Sequence, residues 1–194
     1  MAEPAKLVLA SGSPRRRQLL EQQGFTFRIE PPDVDESPLG TETPQALVER
    51  LAISKAGAID SSAVTLAADT VVSIDGDILG KPRDADDAKS MLRRLSGRSH
   101  LVTSGVAVRA ATTTSFVVIT EVQFVELTAT MIDRYVATGE PMDKAGAYGI
   151  QGIGGALVRT VNGSYTNVVG LPLAETVDAL ALAGVHPVGA PTTP

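Results

Sequence analysis

The chain has no cysteine, no tryptophan and only two histidines, His100 and His186. The missing cysteines exclude disulfide scaffolds, thiolate-ligated zinc, iron–sulfur clusters and a thiol nucleophile. Two histidines are too few for most histidine-based metal sites, and no Ser–His–Asp set can be built around them. Aromatic residues amount to only 4%, so aliphatic side chains and alanine must fill the core, and a hydrophobic content of 43% is enough to do so. No run approaches the roughly 20 apolar residues of a membrane span. The apolar stretch near the N-terminus gives way at once to SGSPRRR, which does not fit a signal peptide. A cytoplasmic, soluble protein without a membrane partner is the expectation. Basic residues are in deficit, 17 Lys and Arg against 22 Asp and Glu, for a net charge of −5. That balance argues against a nucleic-acid polymer as partner and leaves room for a local basic pocket.

What is present reads as α/β. At 194 residues the chain suits one domain, or one domain with two lobes. Short strands are expected at 6–10 and 26–30, with a helix at 14–23 between them. A second helix is expected at 43–58 behind the acidic, proline-rich PPDVDESPLGTETP, with Leu47, Leu51 and Ala58 forming an apolar stripe. The run from Val64 to Ile74 is a long apolar strand, and DGD after it is a hairpin turn. Ala85 to Leu95 is a helix capped by Asp84 and ended by Gly97. Strands at 100–109 and 115–127, a helix at 130–138, a glycine-rich loop, a strand at 156–161 and a helix at 173–183 complete the series. The sequence HPVGAPTTP reads as a frayed tail, so residues 187–194 are expected to be disordered. Alternating strands and helices followed by adjacent strands imply a mixed central sheet with helices around it.

The first unusual feature is LASGSPRRR. Ser13 is a good N-cap and Pro14 suits the first helical position. Yet Arg15, Arg16 and Arg17 crowd the positive end of the helix dipole, where cations are unfavourable by about 0.3–1 kcal/mol each. A bound anion would offset that. Backbone N–H groups, the hydroxyls of Ser11 and Ser13, and the forked guanidinia of Arg15 and Arg16 suit a polyphosphate, while Arg17 is expected to face solvent.

Other motifs are weaker alone. GDILGKP lacks the spacing and hydroxyl residue of a phosphate loop, although Lys81 between Gly80 and Pro82 is well placed as a point charge. GIQGIGG lacks the dinucleotide-binding pattern and reads first as a flexible turn, although Gln151 can both donate to and accept from a base edge. Asp69 in AADTVV lies within an apolar strand, where an ionised carboxylate needs a partner. It is either a structural ion-pair member or a general base or metal ligand at a cleft edge. DVDE is a solvated loop or a divalent-cation site. Lys55, on an otherwise apolar helix face, reads as a snorkelling lysine. His100 is expected to have its ring nitrogens satisfied locally.

Taken together, LASGSPRR, RLAISKA, ADTVV, GKPRD, MLRRLSGRSH, GEPMDKAGAYGIQG and NGSYTNVVGLPL resemble the Maf family of nucleoside triphosphate pyrophosphatases over nearly the whole chain. ADT and DKAGAYGIQG resemble the branch acting on dTTP and UTP. The 7-methyl-GTP branch has a bulky aromatic where Arg15 stands. The resemblance implies a single domain over 1–186: an elongated central mixed sheet flanked by helices, two lobes and a deep cleft, as in inosine triphosphatases. It implies hydrolysis of the α–β phosphoanhydride to a nucleoside monophosphate and pyrophosphate, with Mg²⁺ or Mn²⁺ as cofactor. Asp69 would be the proton acceptor. Arg15, Thr70 and Gln151 would set base selectivity, and Ser13, Arg16, Lys55 and Lys81 would engage phosphates. Asp35, with Asp69 sharing, would hold the metal. The resemblance also implies a link to septum formation and a role in nucleotide-pool sanitation; a homodimer is left open. The competing readings are a 7-methyl-GTP or broad-specificity pyrophosphatase, and a nucleotide-binding regulator without turnover.

Overall fold

The computed structural model describes residues 6–188. Helix starts follow the sequence closely. Helix α1 (Pro14–Gln22) follows strand β1 (Leu7–Ala10), and the Ser13 hydroxyl accepts from Arg16 N at 3.5 Å. After the two-residue strand β2 (Arg28–Ile29), helix α2 (Pro44–Gly57) begins at Thr43, whose Oγ1 accepts from Ala46 N at 3.2 Å. Strands β3 (Val64–Ile74) and β4 (Asp77–Leu79) are joined through Asp75 and Gly76, at φ 55° and 85°. Positive φ at both central residues is what a two-residue hairpin turn requires. Asp84 caps helix α3 (Ala85–Leu95) by accepting from Asp87 N at 2.8 Å. Each such cap contributes about 1 kcal/mol. Then come β5 (Ser99–Arg109), β6 (Thr113–Phe124), α4 (Ala129–Ala137), three 3₁₀ turns, β7 (Val158–Asn162), α5 (Tyr165–Val169) and α6 (Leu173–Leu182).

The strands form a mixed sheet in the order β2-β1-β3-β5-β6-β7, with β4 paired to β3. Strand β1 is parallel to both β2 and β3, and Ala10 is registered with Ala67; β4 and β7 pair antiparallel with β3 and β6. The fold is therefore a mixed α/β fold with a central sheet and helices around it. Two differences stand out. The strand expected at 26–30 shrinks to Arg28–Ile29, and Pro31 and Pro32, which cannot donate to a ladder, stop it at its C-terminal end. The short helix α5 was not expected at all. At the C-terminal end, Val188 N donates to Gly24 O at 2.9 Å, and residues 189–194 of the expected tail lie outside the described residues. Among the described residues, no helix is long and apolar enough to cross a membrane.

Contacts divide the chain into two compact units, with β3, β5 and β6 each contributing residues to both. In the first unit (described residues up to Asp69, 104–117 and from Gly170), small side chains fill the space between sheet and α2: Val8, Ala10, Ala52, Ala56, Ala67 and Ala107. Gly105 is required there. A Cβ at that position would lie 2.4 Å from Val48 O, so only glycine lets α2 come this close to β5. Lys55, two turns beyond Val48 on the same helix face, inherits its placement from that contact.

The second unit (70–103 and 118–169) is packed around Leu92, Leu95, Val102, Val122, Phe124 and Ile132. His100 is enclosed in it, edge-on to Phe124 and Tyr148 at ring separations of 4.9 and 5.4 Å. Its Nε2 meets the Tyr148 hydroxyl at 2.8 Å, whereas Nδ1 has no protein partner, so only half of the expected local satisfaction is present. Burial pushes the imidazole down from its ordinary 6.5 to about 4. The unfolded chain therefore takes up this proton first, and stability is lost as pH falls from about 6.5 towards 4. From pH 7 to pH 5 this residue accounts for a loss of about 2 kcal/mol. Urea midpoints at the two pH values should differ less in His100→Asn than in the parent; equal slopes would show that His100 does not carry the effect.

Candidate active site

In the first unit, the turn Ser11-Gly12-Ser13 joins β1 to α1 and is knitted by its own hydroxyls. Ser13 N donates to Ser11 Oγ at 3.2 Å. Arg16 folds back over the turn: its Nη1 donates to Ser11 Oγ at 3.2 Å and its Nε to the Gly170 carbonyl at 2.8 Å. Burial lowers the Arg16 guanidinium from its ordinary value, Asp69 and Glu36 oppose that shift, and Arg15 adds to it. It keeps its charge regardless, since arginine titrates far above neutrality. Arg17 faces solvent as expected and pairs with Glu21 at 2.7 Å.

Opposite charges converge at Lys55. Its Nζ lies 2.7 Å from Asp69 Oδ1 and 2.6 Å from Glu36 Oε1. Lys55 and Asp69 are only 6% and 8% exposed, so the lysine is buried and paired rather than snorkelling. The position near the end of α2 also sets its charge against the negative pole of the helix. Asp69 thus has the partner that an ionised carboxylate in an apolar strand demands.

Glu36 reaches Lys55 because its loop is clamped. Arg50 on α2 donates Nε to Glu42 Oε1 and Nη2 to Glu42 Oε2, each at 2.7 Å, and Nη2 also to Ser37 O at 3.0 Å. The Arg50 fork pulls the Glu42 carboxyl down to about 2, so the clamp is ionised at any physiological pH. Asp35 takes a different course. It is exposed, and Oδ1 accepts from Ser37 N at 2.9 Å, a bond that holds its carboxyl below the ordinary range.

The first unit therefore brings together Arg16, Lys55 and Asp69, with Ser11 and Ser13 adjoining and Arg15 within electrostatic reach of Arg16. It adds Glu36, which sequence reasoning did not separate from the rest of DVDE. The second unit carries Thr70, next after Asp69 on β3 and partly buried; Lys81, exposed between Gly80 and the buried Pro82; and Gln151, exposed in the glycine-rich run. Gly146 N donates to Gly80 O at 3.1 Å, fixing the bend before Lys81. Among the described residues, no group of three or more His, Asp or Glu is placed to hold a metal. The pair Asp69 and Glu36 does fit a hard divalent ion of the Mg²⁺ type, which is bound by one or two carboxylates with substrate phosphates and water completing its shell. Both carboxylates already converge on one cationic point, now the Lys55 ammonium. Chemically, the cluster can attract an anion, hold a cation between two carboxylates and accept a proton at a buried aspartate.

A family model described as "Maf-like protein" matches residues 6–183. The chain is 54% identical over 184 residues to a dTTP/UTP pyrophosphatase of Anaeromyxobacter dehalogenans (strain 2CP-C), covering 92% of this chain and 94% of that one. It is 51% identical over 183 residues to a dTTP/UTP pyrophosphatase of Symbiobacterium thermophilum, covering 92% and 94%. A solved structure, a nucleoside-triphosphatase / dITP/XTP pyrophosphatase from Mycobacterium abscessus, aligns over 92% of both chains at 15% identity and a TM-score of 0.44, too distant to bear on this site.

Proposed function

We propose that this chain, which belongs to the Maf family, hydrolyses the α–β phosphoanhydride of dTTP and UTP, releasing a nucleoside monophosphate and pyrophosphate. The observation that carries the reading is the Lys55 ammonium held between Asp69 and Glu36, with the Arg16 guanidinium in the same electrostatic neighbourhood. Relatives named for this activity, at more than half identity over nine-tenths of the chain, support the same substrate pair. One family match running through both units supports reading 1–186 as one domain.

In this reading Asp69 accepts a proton from the attacking water. Arg16 and Lys55 neutralise the departing pyrophosphate, and Lys81 engages phosphate as the sequence resemblance has it. Ser11 and Ser13 hydrogen-bond phosphate oxygens at the α1 start. Arg15, Thr70 and Gln151 select the base. Asp69 with Glu36, or with Asp35 as the sequence resemblance has it, would hold Mg²⁺ or Mn²⁺. Bound there, the ion would polarise the phosphoryl oxygens and offset the charge of the leaving group. We place the enzyme in the cytoplasm, where removing unwanted triphosphates keeps them out of nucleic acid.

The test is a panel of dTTP, UTP, CTP, GTP and 7-methyl-GTP read by pyrophosphate release. We expect dTTP and UTP to turn over fastest, the reaction to stop in EDTA and to resume on adding Mn²⁺. Faster turnover of 7-methyl-GTP would move the chain to the other branch. Tight binding without pyrophosphate release would favour a regulator instead.

A further inference from the structure

Gln151 is exposed in the middle of Gly149-Ile150-Gln151-Gly152-Ile153-Gly154, and backbone on both sides of it is pinned to one pair of side chains. Glu140 Oε2 accepts from Ile153 N at 2.9 Å, and Oε1 accepts from Gly154 N at 3.0 Å. The Tyr135 hydroxyl donates to Glu140 Oε1 at 2.9 Å and accepts from Gly149 N at 3.1 Å. Three backbone N–H groups around Gln151 thus end on a two-residue bracket.

The glycines serve contact, not looseness. A Cβ at Gly152 would stand 2.3 Å from Glu140 Oε2, and one at Gly154 would stand 2.4 Å from the Tyr135 hydroxyl. The expectation of a flexible turn is therefore replaced by a wrapped one. The bracket itself is anchored: Tyr135 is 3% exposed and packs in the core of the second unit, and Lys144 Nζ donates to the Glu140 carbonyl at 2.7 Å. Burial pushes the Tyr135 phenol up, so it stays protonated and donates. Burial alone would raise the Glu140 carboxyl, but donors from Gly154, Ile153 and Tyr135 outweigh it and hold the group below its ordinary value, so it stays an acceptor.

We propose that Tyr135 and Glu140 are positioning residues for base selection: they fix the 149–154 turn and with it the orientation in which Gln151 presents its amide. The inference rests on the reading of Gln151 as a base-selecting residue. Uracil and thymine offer a carbonyl acceptor beside an N–H donor, whereas cytosine offers an amino donor beside a ring acceptor. A glutamine amide turned by half a rotation exchanges its donor and acceptor. A loosened turn lets Gln151 adopt either orientation, so cytosine is admitted; a pinned turn admits one.

The experiment measures kcat and KM for UTP and CTP in the full-length protein. Glu140→Gln replaces one accepting oxygen by a donating amide, and Tyr135→Phe removes the hydroxyl but keeps the ring, so the second stands in if the first does not fold. In each, the UTP-to-CTP ratio of kcat/KM falls about tenfold, through KM more than kcat. Amide exchange quickens at 149, 153 and 154. On a Gln151→Ala background, Glu140→Gln changes the ratio no further. A folded Glu140→Gln or Tyr135→Phe that keeps the parental ratio, while Gln151→Ala loses it, overturns the bracket and leaves the base-selection reading standing. An unchanged ratio in Gln151→Ala overturns both. Equal losses on UTP and CTP overturn the bracket by assigning it to stability alone.

Discussion

Asp69→Asn loses pyrophosphate release from dTTP by roughly a hundredfold to ten-thousandfold, the range that a positioned general base contributes, while nucleotide binding survives. The substitution is chosen for its shape. Asparagine keeps the carbonyl oxygen that can accept from Lys55 Nζ, where Asp69 Oδ1 now does at 2.7 Å. What it cannot do is take a proton from water. Two assays on one preparation decide the matter: pyrophosphate release, and calorimetric titration with dTTP in the presence of Mn²⁺. Activity within tenfold of the parent removes Asp69 from the role of base. Loss of binding with loss of turnover assigns it to holding the charge cluster. A parental rate recovered at high Mn²⁺ assigns it to the ion. The regulator reading makes a different prediction, since a protein acting by binding alone keeps its cellular effect in Asp69→Asn.

How much of this was legible beforehand depends on the range of the interaction that decides each feature. Caps and turns are decided within four residues, and Ser13, Asp84 and the Asp75–Gly76 turn were all readable. Helix α5 has five residues, less than two turns, and offers no periodicity to detect. The run at 149–155 reads as flexible because glycine content alone does not reveal contacts. The carboxylate and hydroxyl that its backbone wraps belong to Glu140 and Tyr135, each 14 residues from a backbone N–H that it accepts from. Lys55 is the sharpest case. By composition of its helix face it should have snorkelled, but its partners come from β3 and from the acidic loop, and pairing across elements leaves no mark on local pattern. The same holds for Glu36. Nothing in DVDE distinguishes it from Asp33 or Asp35; the Arg50–Glu42 clamp on the loop presents it.

Lys55→Met lowers stability by about 3 kcal/mol, the lower end of the cost of stranding a buried charge, and Tm by roughly 6–12 °C for a chain of this size. The asymmetry of the three-way contact sets the expectation. The Asp69 side chain is 12% exposed and that of Glu36 56%. Without the ammonium, Glu36 turns to water at little cost, but Asp69 stays buried with the more distant attraction of Arg16 and Arg50, which is why the lower end applies. Asp69→Leu is milder, because Lys55 keeps Glu36. Lys55→Met with Asp69→Leu then recovers much of the loss, since an apolar pair of similar volume needs no counter-charge. Coupling in the double-mutant cycle exceeds about 1 kcal/mol, whereas all three variants fail to release pyrophosphate. Stability that returns while turnover does not separates the two duties of the pair: the charges are kept for the triphosphate and its reaction, not for holding α2 against β3. A Lys55→Met protein melting within a degree of its parent would show that Asp69 reaches water when Lys55 is gone.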